Sequence, residues 1–187
     1  MAVIRRLLRS LSAAVTAAAS GMLCGGAAPQ IPGWVTLQIQ RQSVTVHIGD
    51  EIEAAEMSLG GGRLTLSGEG IAYASDSAWL VADCILCDID RDGTDNAVLH
   101  VWKKGSFGQY RPFWIEEDDS ELWSEHIFIY RWDREKEKRL VPIWMSSSMP
   151  VTGRTVFADE KNNLHILSAD GTETVWRWEG WGLKCLT

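Results

Sequence analysis

Leu164-His165-Ile166-Leu167, then Asp170-Gly171, then Thr174-Val175-Trp176-Arg177-Trp178 is the stretch on which the fold class turns. Both flanking runs are short and rich in β-branched or aromatic residues. Asp-Gly between them supplies the positive φ that a tight hairpin turn needs. The three pieces predict two antiparallel strands joined by a turn.

The same period of two recurs outward from this hairpin. Val44-Thr45-Val46-His47-Ile48 stops at Gly49-Asp50, and Arg63-Leu64-Thr65-Leu66-Ser67 lies between Gly60-Gly61-Gly62 and Gly68. Ala97 to Trp102 runs into Lys103-Lys104-Gly105, and His126 to Trp132 runs into Asp133-Arg134. Short strands punctuated by Gly and Asp predict an all-β, antiparallel domain. Asp50 to Met57 resists the pattern: with Asp50 as N-cap and Glu53 reaching back, a short helix competes with a strand there.

The chain has 187 residues, 45% apolar and 23% charged, the balance of a globular protein. Its formal charge of −7 argues against a general nucleic-acid binder, whose surface would be basic. Residues 1–28 read as an export signal. Arg5, Arg6 and Arg9 precede a small, apolar stretch from Leu11 to Leu23, and Gly25-Gly26-Ala27-Ala28 offers a cleavage site. An uncleaved membrane anchor is the alternative, although the stretch is weakly hydrophobic for a span. Lipidation at Cys24 is a further route to a membrane, but Leu23 before it fits that poorly. Three bases and no acid leave with the leader, taking the charge from −7 to −10 for residues 29–187. These residues are expected to form a single domain in an extracytoplasmic setting, secreted or in the cell envelope.

Ten tryptophans are unusually many for this length. Three predicted strands carry Trp102, Trp132 and Trp178 at their ends, each followed by a turn and then by Phe107, Leu140 or Leu183. Strand–Trp–turn–strand units of this kind resemble the blades of β-propellers, in which large aromatics fill the space between neighbouring sheets. The length allows only a minimal or incomplete propeller, and a Trp-rich β-sandwich is the alternative.

The sharpest motif is Asp88-Ile89-Asp90-Arg91-Asp92-Gly93-Thr94-Asp95-Asn96. Alternating acids in a tight loop can fold three carboxylates around one centre. Gly93 permits the turn, the Thr94 carbonyl can point inward, and Asn96 adds a side-chain oxygen. Hard cations such as Ca²⁺ take six to eight oxygens of these kinds. Leu99 stands where an EF-hand requires a bidentate Glu, and the flanks read as strands.

Strand, Asp-x-Asp-x-Asp-Gly-x-x-Asp/Asn, strand resembles the cation loop of FG-GAP/VCBS-type repeats, which build β-propellers in exported proteins. The resemblance covers residues 77–107. It implies Asp88, Asp90, Asp92, the Thr94 carbonyl and Asn96 as ligands of a structural Ca²⁺. That family more often has Asp where Asn96 stands. Asp95 is expected to point away. Ala158 to Asn163 lacks the alternating acids and reads as a plain polar turn.

Other constellations are less specific. Cys84-Ile85-Leu86-Cys87 lies in a predicted strand, which sets the two thiols on opposite faces and favours buried thiols over a redox pair or zinc site. One disulfide including Cys185 is the alternative. Arg111, Trp114 and Trp123 flank the acidic run Glu116-Glu117-Asp118-Asp119. They are candidates for a ligand surface, with packing as the competing role. Paired carboxylates in that run would suit a glycosidase, but pairs are expected by chance where acids are so dense. His47, His100, His126 and His165 read as strand residues. No nucleophile elbow, phosphate loop or dinucleotide fingerprint is present, so no catalytic residue is assigned. The expected function is an exported, non-enzymatic binding or scaffold module for a protein or glycan partner. A carbohydrate-active enzyme or its accessory domain, or a membrane-anchored envelope protein, are the alternatives.

Overall fold

The computed structural model describes residues 35, 37, 39–69, 71–107, 113, 116, 119–133, 139–150 and 152–187. Residues 1–28, read above as an export signal and including Cys24, and the candidates Arg111 and Trp114, lie outside the described residues.

Twelve strands are described, and no helix. β1 (Gln40–Ile48), β2 (Glu51–Gly60), β3 (Arg63–Gly68) and β4 (Ile71–Ala74) form a first sheet, hydrogen-bonded in that order. β5 (Leu80–Cys87), β6 (Asn96–Lys104), β7 (Trp123–Asp133) and β8 (Arg139–Met145) form a second. β9 (Gly153–Ala158), β10 (Leu164–Ser168), β11 (Glu173–Trp178) and β12 (Leu183–Cys185) form a third. Each sheet is an antiparallel meander in which neighbours in sequence are neighbours in space. The all-β, antiparallel expectation holds. The hairpin at Asp170-Gly171 also forms: β10 pairs with β11 from Leu164↔Trp176 to Leu167↔Glu173, and Gly171 takes a φ of 87°.

Two sequence readings need correction. The helix option for Asp50 to Met57 fails, because the segment belongs to β2. All nine residues of β1 pair with it, from Gln40↔Leu59 to Ile48↔Glu51, and β3 occupies its other edge. Ala55, Met57 and Leu59 alternate into the core, while Ala54 and Glu56 face out. Tertiary pairing on both edges overrides local helix preference. The tryptophan spacing is also not the repeat of the fold. Trp102 ends β6 and Trp132 ends β7, so both belong to the second sheet. The true repeat is the four-stranded meander itself.

The second sheet is buried on both faces, because every residue from Asn96 to Trp102 in β6 is buried. Ala97, Leu99, Val101, Phe128, Tyr130 and Trp132 pack with Val46, Met57, Leu59, Leu64 and Leu66 of the first sheet. Val98, Ile127 and Ile129 face the other way and pack with Val156, Leu164 and Ile166 of the third. The alternation of the pleat thus assigns successive residues to two separate cores. Each fully buried aliphatic side chain contributes about 1.5–3 kcal/mol. Trp132 and Trp79 join the first core, and Trp144, Trp176 and Trp178 border the second. These five fill space between sheets, as their size suggests. Trp181, 82% exposed, does not.

Cys84 faces the first core and Cys87 the second, on opposite sides of β5. Burial pushes the Cys84 thiol far up. Burial, followed by the charges of Asp95, Asp88 and Asp90, pushes Cys87 up to about 12. Both thiols are free, as is Cys185, so the disulfide option is not realised among the described cysteines. Protonated, buried thiols are poor nucleophiles and poor metal ligands.

Candidate metal centre

The loop between β5 and β6 begins at Asp88 and closes on its own carboxylates. Asp88 accepts hydrogen bonds from Asp92 N at 2.9 Å and from Gly93 N at 3.1 Å, one on each oxygen. Asp92 Oδ1 accepts from Thr94 N at 2.8 Å. Short acidic side chains capture nearby N–H groups in this way and so hold a turn. The turn requires two left-handed residues, Arg91 with φ 62° and Gly93 with φ 84°. Ile89 is fully buried in the second core and anchors the loop.

This folding brings three carboxylates together. One oxygen each of Asp88, Asp90 and Asp92 lies within 4.8 Å of the others, and the group could hold a metal ion. At 4.8 Å a pair of unit charges repels by about 3.5 kcal/mol at an effective dielectric near 20, and any closer pair repels more strongly. Asp90 shows the strain most clearly. Burial, and then the charges of Asp92 and Asp88, raise its pKa above the ordinary carboxylate value, against opposing hydrogen bonds. Its buried Oδ1 has no hydrogen-bond partner.

Asn96 is fully buried, and its Oδ1 accepts from Ile89 N at 2.9 Å and Asp90 N at 3.4 Å. It braces the loop from beneath. Thr94 is buried and forms a bridge with Ile48, and its Oγ1 accepts from Gly49 N at 3.2 Å. Asp95 points away from the three acids: its Oδ2 accepts from His47 N at 2.8 Å and lies 3.0 Å from His47 Nδ1.

The loop is also the junction of all three sheets. On one side Thr94 and Asp95 grip the β1–β2 connection, and Asp95 N donates to His47 O at 2.7 Å. On the other side Arg91 crosses to the β9–β10 connection, where Nε and Nη2 donate to Lys161 O at 3.2 and 3.0 Å. The three connections between first and second strands therefore meet, with the acidic loop in the middle. Sequence reasoning missed Arg91, because its contacts depend on which sheets adjoin.

The Ala158–Asn163 segment is a polar turn, as read. Asp159 accepts from Lys161 N, Asn163 N and Asn163 Nδ2. Burial is the largest single influence and works against its charge, but these bonds together outweigh it and hold Asp159 well below the usual carboxylate range.

Trp123, the described member of the aromatic candidates, is half-buried at the start of β7, where it pairs with Lys104. Glu116 is exposed, and Asp119 Oδ2 accepts from Ser106 N at 2.8 Å. Glu121 pairs with Lys104. A Ser–His contact is present nearby: Ser124 Oγ is 2.8 Å from His126 Nε2, and His126 Nδ1 is 2.9 Å from Ser146 O. Ser124 Oγ also lies 2.7 Å from Gly105 O, and Lys103 Nζ donates to Gly105 O and Phe107 O at 2.7 Å each. Together they clamp the exit of β6. His126 is fully buried.

No protein family, curated protein or solved structure matches the chain.

Proposed function

We propose that this chain is an exported, non-enzymatic β-scaffold with propeller-type blades, built to present a binding surface to a protein or glycan, and that the Asp88–Asn96 loop holds a structural Ca²⁺. The observation carrying the calcium reading is the convergence of Asp88, Asp90 and Asp92 within 4.8 Å, at a loop that grips both neighbouring sheets. Oxygen-only donors suit a hard cation. A divalent ion at this point would replace mutual repulsion by attraction and tie three strand connections together. Three consecutive four-stranded meanders support the blade reading. The leader at 1–28 supports export into a calcium-containing compartment.

The test is thermal unfolding of the full chain with Ca²⁺, Mg²⁺ or EDTA, beside the double variant Asp88→Asn/Asp90→Asn. Extracellular calcium modules bind at about 10⁻⁴–10⁻³ M. With ion about tenfold above Kd the stabilisation is about 1.4 kcal/mol, or about 3–6 °C for a domain of this size. A Ca²⁺-specific rise that the double variant loses is the expected result. No shift at millimolar Ca²⁺ reduces the loop to an acidic turn.

A further inference from the structure

A second site lies on the opposite face of β6 from the first core. His100 Nε2 is 2.7 Å from Glu125 Oε1, and the two side chains are 3% and 4% exposed. Glu125 Oε1 also accepts from Gly153 N at 2.7 Å, which joins the second sheet to the third. Gly153 is required here, because a Cβ would stand 2.7 Å from Glu125 Oε1 and 2.8 Å from Ile166 Cγ2. A polar contact buried this far from water costs desolvation and is poor evidence for stability alone.

The far side of the histidine ring is unused. His100 Nδ1 is buried without a hydrogen-bond partner. The ring lines a cavity of about 320 Å³ between the two sheets. Ala82, Trp102, Ala169 and Val35 form apolar walls, and Arg154 stands at the rim. Arg154 is exposed and pairs with no acid among the described residues. A cavity of this size is at the small end for ligand pockets, which combine apolar walls with a few convergent polar groups.

We propose that this cavity binds a small apolar monocarboxylate, with its carboxylate held between His100 Nδ1 and the Arg154 guanidinium and its body against Trp102, Ala82 and Ala169. An imidazolium donates on both nitrogens and so can meet two carboxylates, that of Glu125 on Nε2 and that of the ligand on Nδ1. Arginine matches a carboxylate geometrically and keeps its charge. The chain as a whole is acidic, so the selection of an anion is local to these two groups. The site needs no metal and is independent of the calcium loop.

The test is calorimetric titration of the full chain, in EDTA, with butyrate, hexanoate, benzoate and inorganic phosphate. Two variants keep it specific: Arg154→Ala removes an exposed cation, and Ala169→Trp fills the cavity from an exposed turn. Saturable binding of at least one monocarboxylate is expected, about tenfold weaker in Arg154→Ala and lost in Ala169→Trp. Ring nitrogen shifts of His100 should move with the same titration. No binding up to about 10 mM ligand overturns the proposal, as does binding that both variants leave unchanged. Phosphate binding as tight as that of the carboxylates overturns the ligand class.

Discussion

Arg91 Nη2 donates to Asn163 Oδ1 at 3.1 Å, across 72 residues of chain. The same guanidinium reaches Lys161 O, so one side chain links the first-strand loops of the second and third sheets. It does so from a left-handed backbone, which an L side chain adopts at a cost of about 1–2 kcal/mol.

The two effects at Arg91 can be separated by substitution. Arg91→Ala keeps the strain and loses the contacts, and should destabilise the chain by about 1 kcal/mol. Arg91→Gly loses the contacts but relieves the strain, so it should cost less than alanine. That reverses the usual order of these residues. Urea midpoints of the two variants decide it: glycine below alanine refutes the account.

Asp90 carries a raised pKa in the folded chain. The folded state therefore binds this proton more readily than the unfolded one, and ionisation as pH rises works against folding. In EDTA at neutral pH, Asp90→Asn should raise the unfolding midpoint by about 2 °C. A fall in midpoint would show that the carboxylate stabilises the empty loop.

His165 shares the raised pKa and the same sense of pH dependence, but here the charged form is the one the fold favours. Burial disfavours its charge, but hydrogen bonds and charges from Glu173 and Asp159 win, and its pKa is raised. Nδ1 is 2.6 Å from Glu173 Oε1, and Nε2 is 3.3 Å from Asp159 Oδ2, in ion-pair range but off the hydrogen-bond direction. The stabilisation is complete below the unfolded value near 6.5 and is lost as pH rises through the raised one. It should amount to about 0.5 kcal/mol at this partly exposed site. Denaturant midpoints at pH 6.5 and pH 8.5 should differ less in His165→Gln than in the parent chain. An equal difference would rule His165 out as the source.

Gly153→Ala forces a Cβ against Glu125 Oε1 and Ile166 Cγ2. The clash sits where the Gly153 N–H bonds Glu125, so both overpacking and a strained buried bond follow. A loss of about 2–4 kcal/mol is expected in urea unfolding. A loss below about 0.5 kcal/mol, the range of ordinary surface changes, would mean that β9 moves aside freely.

Much of the fold is written in alternation. Val44–Ile48, Ala97–Trp102 and Thr174–Trp178 all lie within strands, and Asp170-Gly171 turns where its chemistry says it should. β2 is ambiguous because Glu51, Glu53 and Glu56 fit a helix surface as well as a strand edge. Only the partners β1 and β3 decide between them. Tryptophan spacing misleads because aromatics mark whatever faces a neighbouring sheet, whichever strand carries them. At the acidic loop, Asp88, Asp90 and Asp92 are legible from their spacing, since the loop is closed by its own backbone. Arg91 to Asn163 and Asp95 to His47 are not legible, because those contacts exist only after separate sheets dock. The His100–Glu125 pair has one trace in the sequence, a glutamate and a histidine set among the apolar residues of β6 and β7.

The double burial of the second sheet has a consequence for biosynthesis. Synthesis runs from the N-terminus, so β5 to β8 emerge before Val156, Leu164 and Ile166 exist to cover Val98, Ile127 and Ile129. During that interval one side of β6 and β7 is bare, apolar and ready to pair with a second nascent copy. A chain cut after Met149 would keep this exposure permanently. A premature stop in the last fifth of the reading frame should therefore yield insoluble aggregate rather than a shortened soluble protein.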